Sequence, residues 1–209
     1  MSYVKYPRTP HLPWSPGATS DDVFQINTDC FKGKHITITE KMDGENCTMY
    51  SDHIHARSID SANHPSRDWV KKFHSTFKHN IPKGWRICGE NLFAVHSIIY
   101  ENLKTYFYVF SIWNEKNECL SVKETKEWCE LLDLQYVPIL FEGIWDEKYV
   151  SSLHETLEQT KVEGYVVRIS DHFLYTDFKN SVSKWVRKGH VTSDEHWMHK
   201  KIEKNLLKI

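Results

Sequence analysis

The sequence predicts an α+β protein, mostly antiparallel sheet with flanking helices. Short segments of alternating apolar and polar residues recur along the chain, beginning with Ile36-Thr37-Ile38-Thr39-Glu40-Lys41, the period of a half-buried strand. Helical spacing marks a few separate stretches, one of them opened by the capping-box pattern Ser121-Val122-Lys123-Glu124. Strands and helices follow one another without the regular βαβ alternation of a Rossmann-type fold.

Residues 1–20 hold Pro7, Pro10, Pro13, Pro16 and Gly17. Prolines without amide donors exclude regular structure there, while Leu12 and Trp14 imply an arm packed on the body. The strand at Ile36–Lys41 meets a turn at Gly44, and Cys47–Ser51 and His53–Ser58 continue the sheet. Ser66–Phe77 spaces Trp69, Val70, Phe73 and Phe77 as one helical face, with Ser66 as its cap. Trp85–Phe93 and Thr105–Trp113 are strands, and Ser121–Leu132 and Asp146–Gln159 helices. Gly164–Ile169 and Val182–Arg187 are late strands. Residues 193–209 place Trp197, Ile202 and Leu206 on one face of a closing amphipathic helix. One domain over 1–209 is expected, since 209 residues with 40% hydrophobic content can bury a sizeable core.

Eight Trp, ten Tyr and ten Phe without a low-complexity tract exclude a disordered chain. No apolar run reaches the length of a membrane span, and the first residues lack a secretory apolar core. Five scattered cysteines without a Cys-x-x-Cys pair fit free thiols in a reducing cytoplasm, not a disulfide framework or zinc site. The net charge of −1 conceals a balance of −7 over 111–163 and +5 over 179–209. A basic end attracts polyanions such as nucleic acid, and it equally suits a solvated helix face.

The most informative stretch is Lys41-Met42-Asp43-Gly44, a lysine ending a strand before an Asp-Gly turn. Alone it reads as a surface lysine. An amine of pKa about 10.4 becomes a nucleophile only beside cations or a metal. Arg57, in His55-Ala56-Arg57-Ser58, and Lys184 and Arg187, in Lys184-Trp185-Val186-Arg187, supply cations if their strands converge. Glu90 and Glu163 adjoin glycine inside apolar runs, where a carboxylate either faces solvent at a strand end or sits in a pocket with a partner. Such carboxylates suit a ribose hydroxyl and a hard divalent cation. Phe110, in the aromatic strand Tyr106-Phe107-Tyr108-Val109-Phe110, is core or a platform for a base.

Taken in order, these blocks resemble the covalent nucleotidyltransferase superfamily of polynucleotide ligases and capping enzymes. Within it they are most similar to the ATP-dependent RNA ligases that seal ends held on a duplex. The resemblance runs from about Thr39 to Arg187 and implies a nucleotidyltransferase (adenylation) fold. It implies that Lys41 attacks the α-phosphate of ATP and becomes lysyl-AMP. Glu40 would seat the adenine through its backbone, Arg57 grip ribose or substrate phosphates, Glu90 bind the ribose hydroxyls and Phe110 stack on the base. Glu163 would position Mg²⁺ or Mn²⁺ with Asp43 as a helper carboxylate, and Lys184 would contact the α-phosphate.

Many such ligases read Lys-x-Lys in the last block. Here Arg187 stands in for the second lysine, with Lys179 or Lys188 as alternatives. The chain stops about twenty residues past that block, without the oligonucleotide-binding barrel usual in DNA ligases and capping enzymes. A minimal catalytic domain would then hold RNA ends by its own surface, its last helix or an unidentified nucleic-acid-binding partner. A capping-type guanylyltransferase and a non-catalytic nucleic-acid-end binding module remain as alternatives. His190, His196 and His199 lack the His-Glu-x-x-His arrangement of a zinc site, and His64 precedes a helix start.

Overall fold

A computed structural model describes residues 3–19, 22–157, 162–189 and 202–208. In chain order its strands and helices are β1 (His35–Glu40), β2 (Glu45–Met49), β3 (Ile54–Ala56), α1 (Asp68–Phe77), β4 (Arg86–Asn91), β5 (Phe107–Trp113) and β6 (Glu118–Cys119). There follow α2 (Val122–Leu131), β7 (Gln135–Tyr136), β8 (Ile139–Ile144), α3 (Glu147–Leu157), β9 (Gly164–Ile169), β10 (Phe173–Leu174) and β11 (Val182–Val186). This is an α+β fold of mainly antiparallel sheet. No described helix is long and apolar enough to cross a membrane, and all five cysteines are free thiols.

The chain forms two compact units: Met1–Tyr6, Asp43–Tyr136 and Ser193–Ile209 make the first, Pro7–Met42 and Val137–Thr192 the second. The first carries a sheet ordered β6-β5-β4-β2-β3, with β7 parallel to β5. Alternation buries Met49, Ile87, Phe107, Val109 and Ile112 on one face. In α1, Val70, His74 and Phe77 are buried at helical spacing. Both halves of the capping box on α2 are present: Ser121 Oγ accepts from the Glu124 amide at 3.2 Å, and Glu124 Oε2 accepts from the Ser121 amide at 3.1 Å. Ser66 does not cap α1. The chain first makes a 3-10 turn at Pro65–Arg67, where His64 Nδ1 accepts from the Ser66 amide at 3.3 Å.

The expected closing helix is corrected where it is described. Residues 202–208 are not helical and make isolated bridges at Lys204 and Leu207, and 193–201, with His196 and His199, lie outside the described residues, as does His190. The tail's amides spend their bonds on the body instead of on one another: Asn205 donates to Phe93 O at 3.2 Å and Leu206 to Tyr100 O at 2.8 Å. Fully buried Asn205 anchors it, its Nδ2 donating to Leu92 O and its Oδ1 accepting from the Tyr100 amide, both at 2.8 Å.

The second unit carries a sheet ordered β11-β9-β1-β8. Ile36, Ile38, Val167 and Trp185 are almost wholly buried, and Tyr165 stacks on Trp185 at 5.5 Å and 10°. Beyond the expected irregular packing, the proline-rich arm adds to this sheet's edge. The Lys184 amide donates to Pro10 O and the Leu12 amide to Lys184 O, both at 2.8 Å. That pairing gives β11 a neighbour on its outer side.

Candidate functional site

Lys41 follows the last residue of β1, its amide donating to Gly164 O at 2.9 Å. Its Nζ lies 2.6 Å from Oε2 of Glu163, with side chains 24% and 6% exposed. A carboxylate so far from water demands a cation, and Lys41 provides it. Glu163 immediately precedes β9, where Gly164 has a steric reason: a Cβ there would stand 2.0 Å from Trp185 O. The missing side chain lets β11 close on β9 beside the carboxylate, and the Arg187 amide donates to Glu163 O at 3.1 Å.

Register brings Lys184 to the same neighbourhood. Lys184 is paired with Val166, and Val166 with Thr39. Paired residues across a sheet project to one face, and Lys41 is two residues beyond Thr39. Lys184 Nζ is 3.7 Å from Asp22 Oδ1. Glu40, opposite Tyr165, gives its amide to Pro138 O at 2.9 Å, and burial pushes its carboxyl above the usual value. This unit therefore gathers five of the expected residues: Glu40, Lys41, Glu163, Lys184 and Arg187.

The other four, Asp43, Arg57, Glu90 and Phe110, belong to the first unit. Asp43 is buried, and its Oδ2 accepts from the amides of Ser97 and Ile98, each at 2.7 Å. It thereby clasps the loop after β4. Glu90, on β4, accepts the Gly44 amide at 3.2 Å through Oε1. Arg57 is exposed just beyond β3.

Phe110 sits in a bulge. Cys88 pairs with Ser111 and Gly89 with Val109, which leaves Phe110 as the extra residue of β5. A bulge re-aims the side chain it carries. Phe110 is half-buried, with Tyr6 edge-on at 5.0 Å and 66°.

Two features carry no sequence signal. Arg67, in the 3-10 turn before α1, makes a two-pronged pair with Glu45, its Nε donating to Oε1 at 3.0 Å and Oε2 at 2.8 Å. This pairing raises the Arg67 pKa. The contact of Asp22 with Lys184 is the second, because a loop carboxylate reads as ordinary surface.

A divalent cation fits the donor set. Among the described residues no group of three or more His, Cys, Asp or Glu could hold a metal. Magnesium-type sites usually take one or two carboxylates, with waters and substrate phosphates completing the shell. Glu163 supplies a carboxylate of this kind beside Lys41.

The RNA ligase family profile matches residues 34–186. No curated protein matches by sequence. Among solved structures, an archaeal ATP-dependent RNA ligase is similar at 16% identity and TM-score 0.60, covering 88% of this chain and 48% of its own. A lysine-to-alanine variant of Naegleria gruberi RNA ligase, solved with ATP and Mn, is similar at 20% identity and TM-score 0.53, covering 75% of this chain and 51% of its own. The chain thus spans about half the length of these proteins, and at such identities the likeness is one of fold.

Proposed function

The chain belongs to the RNA ligase family, and we propose that it joins RNA 3′-hydroxyl and 5′-phosphate ends at the expense of ATP. The observation that carries this reading is the Lys41–Glu163 contact at 2.6 Å, on a sheet face that also holds Lys184. A lysine can act as the nucleophile, a carboxylate can orient it, and a second cation can stabilise charge developing on the phosphate.

In this reading the Lys41 ammonium gives up a proton to solvent, and the resulting neutral amine attacks the α-phosphorus of ATP, releasing a second proton as the P–N bond forms. A P–N bond forms, the bond to the bridging oxygen breaks, and pyrophosphate leaves. The 5′-phosphate of an RNA end then attacks the lysyl-AMP phosphorus, making a 5′–5′ pyrophosphate linkage and returning Lys41. Attack by the 3′-hydroxyl on the RNA phosphorus forms the phosphodiester, loses the hydroxyl proton to solvent and releases AMP. All three steps are in-line displacements at phosphorus, in which positioning and charge neutralisation supply the rate.

Glu163 holds the Lys41 ammonium in place before attack, and Lys184 receives charge on the α-phosphate. Glu40 seats the adenine through its backbone carbonyl, since its amide is spent on Pro138. Glu90 takes the ribose hydroxyls, Phe110 the base, and Arg57 and Arg187 the outlying phosphates. A divalent cation on Glu163 would offset phosphate charge and weaken the grip of Glu163 on the ammonium. The substrate expected is a nick in duplex-held RNA, worked on by one nucleotidyltransferase domain.

The test is sealing of a 5′-labelled, 5′-phosphorylated RNA strand abutting a 3′-hydroxyl strand on a complementary splint, with ATP and magnesium. A joined strand that requires Lys41 supports the reading. In a parallel incubation with α-labelled ATP or GTP, label taken from GTP alone, with no joining, would replace it with a capping-type enzyme.

A further inference from the structure

The N-terminal arm lies outside the family match, which begins at residue 34, yet it surrounds Lys184. Both backbone groups of Lys184 are bound by the arm, through Pro10 O and the Leu12 amide at 2.8 Å each. Two residues on, the Val186 amide donates to Ser15 Oγ, and Val186 O accepts from the Gly17 amide, both at 2.9 Å. Gly17 fits only because it has no side chain: a Cβ there would stand 2.5 Å from Arg187 O. A terminus that merely covered a sheet edge would need the backbone bonds and nothing more.

The segment just after the arm delivers a charge. Asp22 Oδ1 stands 3.7 Å from Lys184 Nζ. The carboxylate is itself fixed, since Oδ2 accepts from the Thr19 amide and hydroxyl at 3.0 Å each. Behind it lies His11, 1% exposed, paired in parallel with Lys184. Its Nδ1 is bonded to Ser15 Oγ at 2.8 Å, and Nε2 stands 3.5 Å from Asp22 Oδ2 without a hydrogen-bond partner. Asp22 is thus held from below by its own loop and walled by a buried ring. A fixed carboxylate restricts the reach of a long, flexible ammonium stem, which has several rotamers to lose.

We propose that Asp22, just beyond the N-terminal arm, is a positioning residue for Lys184, holding its ammonium ready for the α-phosphate. The inference rests on the ligase reading above and deepens it. Asp22 is assigned no direct role on the reacting atoms, and its main effect passes through Lys184. Its negative charge also opposes that of the triphosphate, so its loss slows the chemistry without weakening ATP binding.

The experiment measures kcat and KM for lysyl-AMP formation from α-labelled ATP, with thermal unfolding of each variant followed in parallel. Asp22→Asn is expected to lower kcat about tenfold with the ATP KM unchanged or lower, and Asp22→Glu to restore most of the rate. In a Lys184→Ala background, Asp22→Asn is expected to change the rate less than about twofold, because its target has gone. An equal fall in both backgrounds, or no fall in the native one, overturns the proposal. A native protein that takes no label removes the ligase reading itself, whereas a labelled native protein matched by Asp22→Asn removes only the role of Asp22.

Discussion

Nζ of Lys41 and Oε2 of Glu163 lie 2.6 Å apart, although the two residues are 122 positions apart in sequence. The sheet makes this meeting: the Lys41 amide bonds to Gly164 O, one residue after Glu163. A nucleophile candidate and its carboxylate are therefore tied through backbone, not only through side chains. Glu163→Gln keeps the shape and the hydrogen-bond acceptor but removes the charge. It should slow label transfer from ATP by about 100-fold while the melting temperature moves little. Stopped-flow labelling across a metal titration would check this, and an unchanged rate would exclude Glu163 from the chemistry.

Phe110 occupies the bulge of β5. Stacking of a base on an aromatic ring contributes about 1–3 kcal/mol. Phe110→Ala should raise the ATP KM roughly tenfold or more, and Phe110→Tyr should keep it near the native value. Equal KM values for ATP in the native and alanine proteins would assign the ring to packing against Tyr6 alone.

Gly164 is required by contact, not by a positive φ, since a Cβ would fall 2.0 Å from Trp185 O. Gly164→Ala must push β11 from β9, at a cost of about 1–3 kcal/mol. At this chain length that corresponds to a melting temperature lower by roughly 2–10 °C. Because Glu163 and Lys184 flank this contact, labelling should fall more than unfolding alone explains, measured on protein held well below its transition.

His11 has its pKa pushed down to about 4, first by burial and then by Lys184 and Lys41, against the opposing pull of Asp22. The fold thus favours neutral His11, while the unfolded chain protonates near pH 6.5. Its contribution is present above about pH 6.5 and is lost as pH falls from there to about 4, below which both states are protonated. The loss amounts to about 3 kcal/mol. Denaturant midpoints between pH 7 and 4 should fall less steeply for His11→Asn than for the native protein, and parallel curves would contradict the assignment.

Much of this was legible in the sequence because local pattern and tertiary role agree. Gly164–Ile169 reads as a strand and is β9; Ser121 and Glu124 read as a capping box and form one. Lys41 reads as the end of a strand and follows β1 directly. The strand β8 is less legible, since Glu142 and Gly143 interrupt its apolar run and, at the sheet's edge, it alternates only between half-buried and exposed. The tail misleads for a different reason. Ile202 and Leu206 have helical spacing, but Asn205 is buried against Leu92, Ala94 and Tyr100, and the tail's amides bond to the body instead of to one another. Asp22 could not be singled out, because its partner Lys184 is 162 residues away and no local pattern records that.

The most direct measurement is to incubate the protein with α-labelled ATP and magnesium, denature it, and locate the label by peptide mass spectrometry. The account predicts AMP joined to Lys41 through an acid-labile P–N bond, and no label on Lys41→Ala. Label that persists in Lys41→Ala, or that maps to another residue, would contradict it.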